Sequence, residues 1–599
     1  MFQDFTSRST PAHGPARLAL LRQAIRDAGL TGFLIPRADA HQGEYVADCD
    51  ARLSWLTGFT GSAGFCLVLP DIAGVFIDGR YRVQVKSEVD LTAFTPVPWP
   101  EVKAGPWLIE HLPAGGRIGF DPWLHTRKEV EDLRRALEGS GIALVETANL
   151  IDAIRADRPA PPMQPARVHP LDFAGESSAE KRGRLAAALG KQGAVAAVLT
   201  LPDSIAWALN IRGADIPRNP VVQAFAVLQA NGHLTLFAEA AKFSPEVRAH
   251  LGNEVTLRPV PAFAAALRGL KGPVLVDPGS APHQVGRELE EAGTEVIWAE
   301  DPCILPKARK TPAEVAGMRA AHLRDGAALV EFLAWLEAEA PKGKLTEIDV
   351  VERLEQHRRA TGQLLDISFD TICGAGPNGA IVHYRVTEAT NRRVSPGELL
   401  LIDSGAQYPD GTTDITRTLA VGPVPEGAAE AFTRVLQGMI AISRARFPRG
   451  LAGRDLDALA RVALWSAGMD YDHGTGHGVG AALCVHEGPA RISRISDVPL
   501  APGMILSNEP GHYREGQWGI RIENLIRVEE APKIGDGRDH LCFETLTWVP
   551  IDRRLIVAEM LSQPERAWLD AYHAGVLDRI GPLVGPAARA WLSTACAPL

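Results

Sequence analysis

The sequence predicts a mixed α/β and α+β protein: two related N-terminal α/β domains, then a larger C-terminal α+β domain that holds the residues able to do chemistry. Three observations predict it. The chain has 599 residues, too many for one hydrophobic core, which stops growing at roughly 250–300 residues. A proline-dense stretch from Arg158 to Pro165 breaks the chain once, and Asp301 to Pro312, rich in prolines and basic residues, breaks it again. The first two segments share a spacing signature.

That signature is a tryptophan followed six residues later by a glycine, at Trp55 and Gly61 and again at Trp207 and Gly213. The two copies lie about one domain length apart. Before the first runs an amphipathic helix, Leu18 to Ala28, and an apolar strand, Gly32 to Ile35. Strand–turn–strand patterns follow both: Phe65 to Leu69 with Val75 to Asp78, and Val222 to Leu228 with Leu234 to Ala238. Duplication is the expectation; two unrelated α/β domains with a chance spacing are the alternative. The expected domains are 1–162, 163–311 and 312–599. The last opens on a long helix, Ala313 to Glu339, with Met318, Ala321, Leu329, Phe332 and Leu336 at helical spacing, and closes in helices between Ser562 and Leu592.

Composition narrows the function class. The apolar fraction of 46% and charged fraction of 22% are those of an ordinary globular protein. A net charge of −10 argues against a nucleic-acid partner, which calls for a basic face. Seven scattered cysteines with no CxxC exclude a zinc ribbon or redox dithiol and suit reduced thiols. The start Met1-Phe2-Gln3-Asp4 lacks a basic stretch leading into an apolar one, and no apolar run approaches the ~18 residues of a membrane span. A cytoplasmic protein without a membrane partner is expected.

The C-terminal segment carries acids in apolar settings. Glu398 to Asp403 reads as a buried strand ending in an acid, and the chain returns as Thr412 to Leu419. A hairpin centred between Tyr408 and Pro409 would put Asp403 opposite Asp414. Like charges so opposed destabilise a sheet, so they need a cation or a shared proton; alternatively both acids simply cap turns. Met504 to Asn508 leads into Glu509, and Gly519 to Asn524 alternates so that Arg521 and Glu523 share one face.

Histidines lie between these acids. In His473 to Gly480 four of eight residues are glycine, which rules out a helical His pair and lets backbone approach a ligand closely. His477 suits a metal or substrate contact, and His383 and His486 stand among apolar neighbours. Four carboxylates carry −4, which two divalent cations cancel. Oxygen-rich ligation with one imidazole favours Mn²⁺, with Co²⁺ or Zn²⁺ as alternatives. Two such ions about 3.5–4 Å apart can share a hydroxide, a hydrolytic nucleophile.

The order Asp403, Asp414, His477, Glu509, Glu523 resembles the metal-ligand order of the pita-bread metallopeptidases, shared by methionine aminopeptidase, prolidase and aminopeptidase P. The runs Gly374 to Tyr384, His473 to Gly478 and His486-Glu487-Gly488-Pro489 are similar to the long, three-domain cytosolic type of Xaa-Pro aminopeptidase. Asp39 to Tyr45, Gly58 to Gly64, Asp78 to Tyr81 and Asn210 to Pro220 agree.

The resemblance implies two creatinase-like N-terminal domains, a pita-bread catalytic domain and cleavage of the N-terminal Xaa-Pro bond by a metal-bridging hydroxide. It implies that Asp403, Asp414, Glu509 and Glu523 hold two metals, Asp414 and Glu523 bridging, with His477 on one of them. Glu509 would also manage the proton of the bridging water. His383 and His486 would orient the substrate near the scissile carbonyl, and His473 would line the proline pocket. Tyr513 and Arg521 would stand near metals and substrate, with Arg52 touching the peptide beyond the proline. A homodimer through the C-terminal domain is implied. The alternatives are a prolidase acting on dipeptides and a non-catalytic peptide-binding protein of the same fold.

Overall fold

The computed structural model describes residues 1–599. The chain forms two compact units. One comprises Arg8–Leu171 and Glu176–Ile304, the other Met1–Ser7, Asp172–Gly175 and Leu305–Leu599.

The first unit contains two six-stranded sheets. One is built from β1 (Gly32–Pro36), β2 (Phe65–Val68), β3 (Ala73–Ile77), β4 (Thr95–Pro98), β5 (Gly116–Phe120) and β6 (Ile142–Glu146), in the order β4-β3-β2-β1-β5-β6. The other uses β7 (Ala196–Leu199), β8 (Phe225–Gln229), β9 (Leu234–Phe237), β10 (Val255–Arg258), β11 (Val274–Val276) and β12 (Val296–Trp298), in the order β10-β9-β8-β7-β11-β12. Corresponding pairs agree in direction: β1 and β2 are antiparallel like β7 and β8, and β1 and β5 parallel like β7 and β11. Trp55 and Trp207 stand on equivalent helices, Arg52–Thr57 and Pro202–Leu209, between the first and second strands of each sheet. Matching order, direction and tryptophan placement are what a duplicated α/β domain produces.

The second unit opens with the long helix Pro312–Glu339. Thr311 and Glu314 close a capping box at its start, and Pro312 sits where no N–H partner is needed. Two antiparallel sheets follow. The smaller is β13 (Ile372–Ala375), β14 (Glu398–Ser404) and β15 (Ile415–Val421), in that order. The apolar run Leu399 to Ile402 is buried throughout, as a strand covered on both faces requires. The larger contains β16 (Gly476–Gly478), β17 (Glu487–Ile492), β18 (Ile505–Asn508), β21 (Asn524–Glu530) and β22 (His540–Thr545), with Phe447–Pro448 at its edge. Between β18 and β21 the chain makes the hairpin β19 (Gly511–Arg514) and β20 (Trp518–Arg521). Helices Ala428–Ser443, Gly453–Trp465 and Gln563–Ile580 pack on these layers.

One expectation is corrected. The hairpin exists, but its turn is one residue later. Tyr408 pairs with Gly411, so Asp403 faces Thr416 and Asp414 lies just before β15. The turn residues are Pro409 and Asp410, which suits proline's fixed φ at the first turn position. Residues 1–7 pack with the second unit: the Phe2 N–H donates to the Glu355 carboxylate and the Glu388 N–H to the Phe5 carbonyl.

Candidate metal centre

The acids converge where strand ends meet. Asp414 precedes β15, Glu523 lies between β20 and β21, Glu509 follows β18, and His477 is the middle residue of β16. Ligand atoms of Asp414, His477 and Glu523 all lie within 4.8 Å of one another. His477 Nε2 stands 3.5 Å from Asp414 Oδ2 and 3.4 Å from Glu509 Oε1. Its Nδ1 lies 3.0 Å from the Gly478 carbonyl. A carbonyl only accepts, so Nδ1 carries the proton and the bare Nε2 lone pair faces the same space as the carboxylate oxygens, the tautomer a metal ligand needs.

Asp403 joins through Arg521, which donates from Nη2 to Asp403 Oδ2 at 2.6 Å and from Nε to Thr416 Oγ1 at 3.1 Å. Thr416 Oγ1 in turn donates to Glu523 Oε2 at 2.8 Å. The other oxygen, Asp403 Oδ1, is buried without a hydrogen-bond partner. Orphaned buried polar atoms are rare in proteins, and a cation would satisfy this one.

Burial, then the Asp403 and Glu509 charges, pushes the Asp414 carboxyl well above its usual range. Glu523 is raised well above its range by burial and then by Asp414 and Asp403, and Glu509 is raised by burial first. Arg521 is the buried cation bonded directly to this cluster, and one cation cannot balance four acids. The donor set of oxygens and one imidazole therefore fits two hard or borderline divalent ions.

A chain of hydrogen bonds leads away from the acids. His473 Nε2 contacts Tyr513 Oη at 2.9 Å, and Arg521 Nη1 donates to that same oxygen at 2.6 Å. His473, Tyr513, Arg521 and Asp403 are thus linked end to end. Arg461, from helix Gly453–Trp465, fixes the glycine-rich loop by donating to the carbonyls of Tyr471 and His473 at 2.8 and 2.7 Å. His486 stacks edge-on against His477, ring centroids 4.2 Å apart. Its neighbour Glu487 is held by buried Lys307 at 3.2 Å and by Lys310. His383 is half-buried beside Tyr384, whose phenol donates to buried Glu347 at 2.9 Å. Gly379, in the same loop, approaches Gly519 of β20 too closely for a Cβ on the latter.

Arg52 is not part of this unit. It is buried in the N-terminal unit and committed there, bidentate to Asp152 at 2.7 and 2.9 Å and 3.0 Å from Asp50. Two site residues escaped the sequence reading, Thr416 and Ser507. Ser507 Oγ donates to Glu509 Oε1 at 2.9 Å. Each stands two residues from a ligand at a strand end, so period-two alternation was the signal that could have found them.

Four family models match the chain: Metallopeptidase family M24 over residues 316–530, Creatinase/Prolidase N-terminal domain over 17–156 and again over 157–314, and the C-terminal region of peptidase M24 over 539–599. Aminopeptidase P2 of Arabidopsis thaliana is 40% identical, over 97% of this chain and 88% of its own. A probable Xaa-Pro aminopeptidase P of Aspergillus fumigatus is 40% identical, over 97% of this chain and 92% of its own. The crystal structure of an X-prolyl aminopeptidase from Caenorhabditis elegans, described as a cytosolic enzyme with a di-nuclear active site, superposes with a TM-score of 0.93 at 34% identity, covering 98% of this chain and 99% of that one. Two creatinase-type N-terminal domains precede a pita-bread catalytic domain, and the chain belongs to metallopeptidase family M24.

Proposed function

We propose that this chain is a dinuclear metal-dependent aminopeptidase that removes the first residue of peptides with proline second. The observation that carries it is the convergence of Asp414, His477 and Glu523 within 4.8 Å, beside the orphaned Asp403 Oδ1. Asp403, Asp414, His477, Glu509 and Glu523 would hold two divalent ions, Mn²⁺ by the donor set. When bound, the ions would polarise the scissile carbonyl and acidify the attacking water.

The remaining steps belong to the chain. Glu509, oriented by Ser507, takes the proton of the attacking water and passes it to the proline nitrogen, which needs one to leave. His486, packed on His477, and His383 orient the peptide and donate toward the developing oxyanion. The His473–Tyr513–Arg521 chain presents a preset wall to the proline ring. A bond to proline lacks an N–H, so shape has to replace strand-type recognition.

Hydrolysis of Xaa-Pro peptides of two to six residues after Mn²⁺ reconstitution tests the reading. Cleavage of tripeptides and longer chains at the first bond is expected; cleavage of dipeptides alone would make the enzyme a prolidase. No turnover and no bound metal would leave a binding protein. All seven cysteines are free thiols, which supports a reducing, cytoplasmic setting. No helix is long and apolar enough to cross a membrane.

We also propose the domain division 1–162, 163–311 and 312–599, supported by the repeated sheet order, and a homodimer through the C-terminal domain. Helix Gly453–Trp465 supports the dimer, because it exposes Leu459, Val462 and Trp465 one turn apart.

A further inference from the structure

The C-terminal region, residues 539–599, supplies no ligand and no predicted substrate contact, yet it reaches the metal centre through one side chain. Arg417 lies on β15, three residues beyond Asp414, and is 2% exposed. Its Nη1 donates to the carbonyls of Thr416 at 2.9 Å and Glu523 at 2.6 Å. Its Nη2 donates to Asn524 Oδ1 at 2.8 Å, the Val549 carbonyl at 2.8 Å and Tyr572 Oη at 2.9 Å, and Nε to the Pro550 carbonyl at 3.0 Å. No acceptor is a carboxylate oxygen. A buried guanidinium satisfied only by neutral groups is a costly element, and here it ties three segments together.

Glu523 is the residue that needs such a tie. It falls between β20 and β21, so neither ladder holds it. Its N–H reaches the Thr416 carbonyl at 3.2 Å, and its own carbonyl is taken by Arg417. Arg417 is in turn positioned by Tyr572, on helix Gln563–Ile580. The Tyr572 ring is stacked between Trp548 and Trp568, at 5.6 and 5.3 Å, and its hydroxyl also accepts the Val549 N–H at 3.2 Å. Two more contacts come from the same region. Asp552 Oδ2 accepts the Ala420 N–H of β15, and Thr547 Oγ1 accepts the Leu525 N–H of β21.

We propose that Tyr572, with residues 547–552, forms a positioning device for the metal centre, fixing through Arg417 the backbone of Glu523 and the strand that follows Asp414. This rests on the two-metal reading above. Tyr572 touches no substrate; it acts on metal affinity through Arg417.

The test is Mn²⁺ titration by calorimetry on the full-length chain freed of metal, with thermal melting of the same protein in EDTA. Tyr572→Phe keeps the stacked ring and removes the hydroxyl, and Leu592→Ala, buried in the same cluster but on the last helix, is the packing control. Tyr572→Phe should weaken Mn²⁺ binding about tenfold, the low end for partners behind a ligand, with kcat recovered at saturating Mn²⁺. Leu592→Ala should lower the metal-free melting temperature at least as much and leave Mn²⁺ affinity unchanged. Wild-type affinity in Tyr572→Phe, or affinity losses that track lost melting temperature in both variants, overturns the proposal. A wild-type chain that binds no Mn²⁺ overturns the two-metal reading and this one with it; a wild-type chain that binds two, matched by Tyr572→Phe, overturns this one alone.

Discussion

Replacing Glu509 by Gln changes one charge at the metal centre and almost no shape. Ser507 Oγ can still donate to the side-chain oxygen it now reaches at 2.9 Å, so the fold is retained. Without metal, Asp414 and Glu523 are both raised, by burial first and by neighbouring acids that include Glu509. Two carboxylates about 6 Å apart repel by about 3 kcal/mol at an effective dielectric of 20. Three such repulsions, from Asp403, Asp414 and Glu523, disappear with the Glu509 charge, and two attractions of similar size, to His477 and Arg521, are lost. The net is a gain of roughly 1–3 kcal/mol for the metal-free protein, read as about 2–4 °C of melting temperature per kcal/mol. With Mn²⁺ the sign reverses, because a ligand charge has gone and the metal-induced rise in melting temperature shrinks. Turnover should fall by about 10²–10⁴, the usual worth of a positioned acid–base group, or about 3–5 kcal/mol of barrier. Scanning fluorimetry in EDTA and in Mn²⁺, with kcat on an Xaa-Pro tripeptide, gives all three numbers. A near-normal kcat, or a metal-free protein that melts lower than wild type, refutes the reasoning.

Three further outcomes are expected. His573 Nε2 accepts the Ile551 N–H at 3.1 Å, and burial holds the imidazole down to about 3. The unfolded chain takes up this proton near pH 6.5, so the contribution is fully present above that pH and is lost toward pH 3, at up to about 1.4 kcal/mol per pH unit. His573→Gln keeps the acceptor and should flatten this limb in urea titrations of the metal-free protein between pH 6 and 4; an unchanged slope sinks the assignment. Tyr513→Phe cuts the link between His473 and Arg521, and steady-state kinetics should show KM for Xaa-Pro peptides rising roughly 5–30-fold, from about 1–2 kcal/mol of lost hydrogen bonding, with little change in kcat. An unchanged KM would show that the chain does not shape the proline wall. Val462→Asp, at a position 57% exposed, should leave the protein folded and convert a dimer to a monomer in sedimentation velocity; an unaltered profile places the interface elsewhere.

Local pattern carried far in this sequence. The alternation from Gly519 to Asn524 put Arg521 and Glu523 on one face, and both now contact Thr416 Oγ1 while Ile520 and Ile522 enter the core. The apolar run before Asp403 gave a fully buried strand. The hairpin register missed because the turn residues, Pro409 and Asp410, could be counted from either side of Tyr408, and a small shift moves every opposed pair. What stayed illegible depends on distant partners. Arg417 read as one more strand arginine, but its acceptors lie up to 155 positions away. Glu487, Lys307 and Lys310 looked like ordinary charged residues, and only folding buries all three together.

The ligands sit at a seam between separately packed layers. Leu400, Leu401, Ile402 and Ile415 flank Asp403 and Asp414 and belong to one hydrophobic cluster. Ile520 and Ile522, on either side of Arg521, belong to a second. Val479, Ile505 and Leu525, near His477, Glu509 and Glu523, belong to a third. The centre thus takes its geometry from three separately packed cores, which hold mutually repelling acids beside one another. A small cavity in one core should therefore act on the metals in proportion to how it shifts that layer against the others. Ile522→Val, next to Glu523 and fully buried, costs about 1 kcal/mol of packing and moves one ligand relative to four. A change of the same volume at Val576, in the same cluster but on the C-terminal helices, has no ligand beside it. If metal affinity responds equally to both, it follows global stability. A larger response at Ile522 would show that the centre is set by the alignment of the layers.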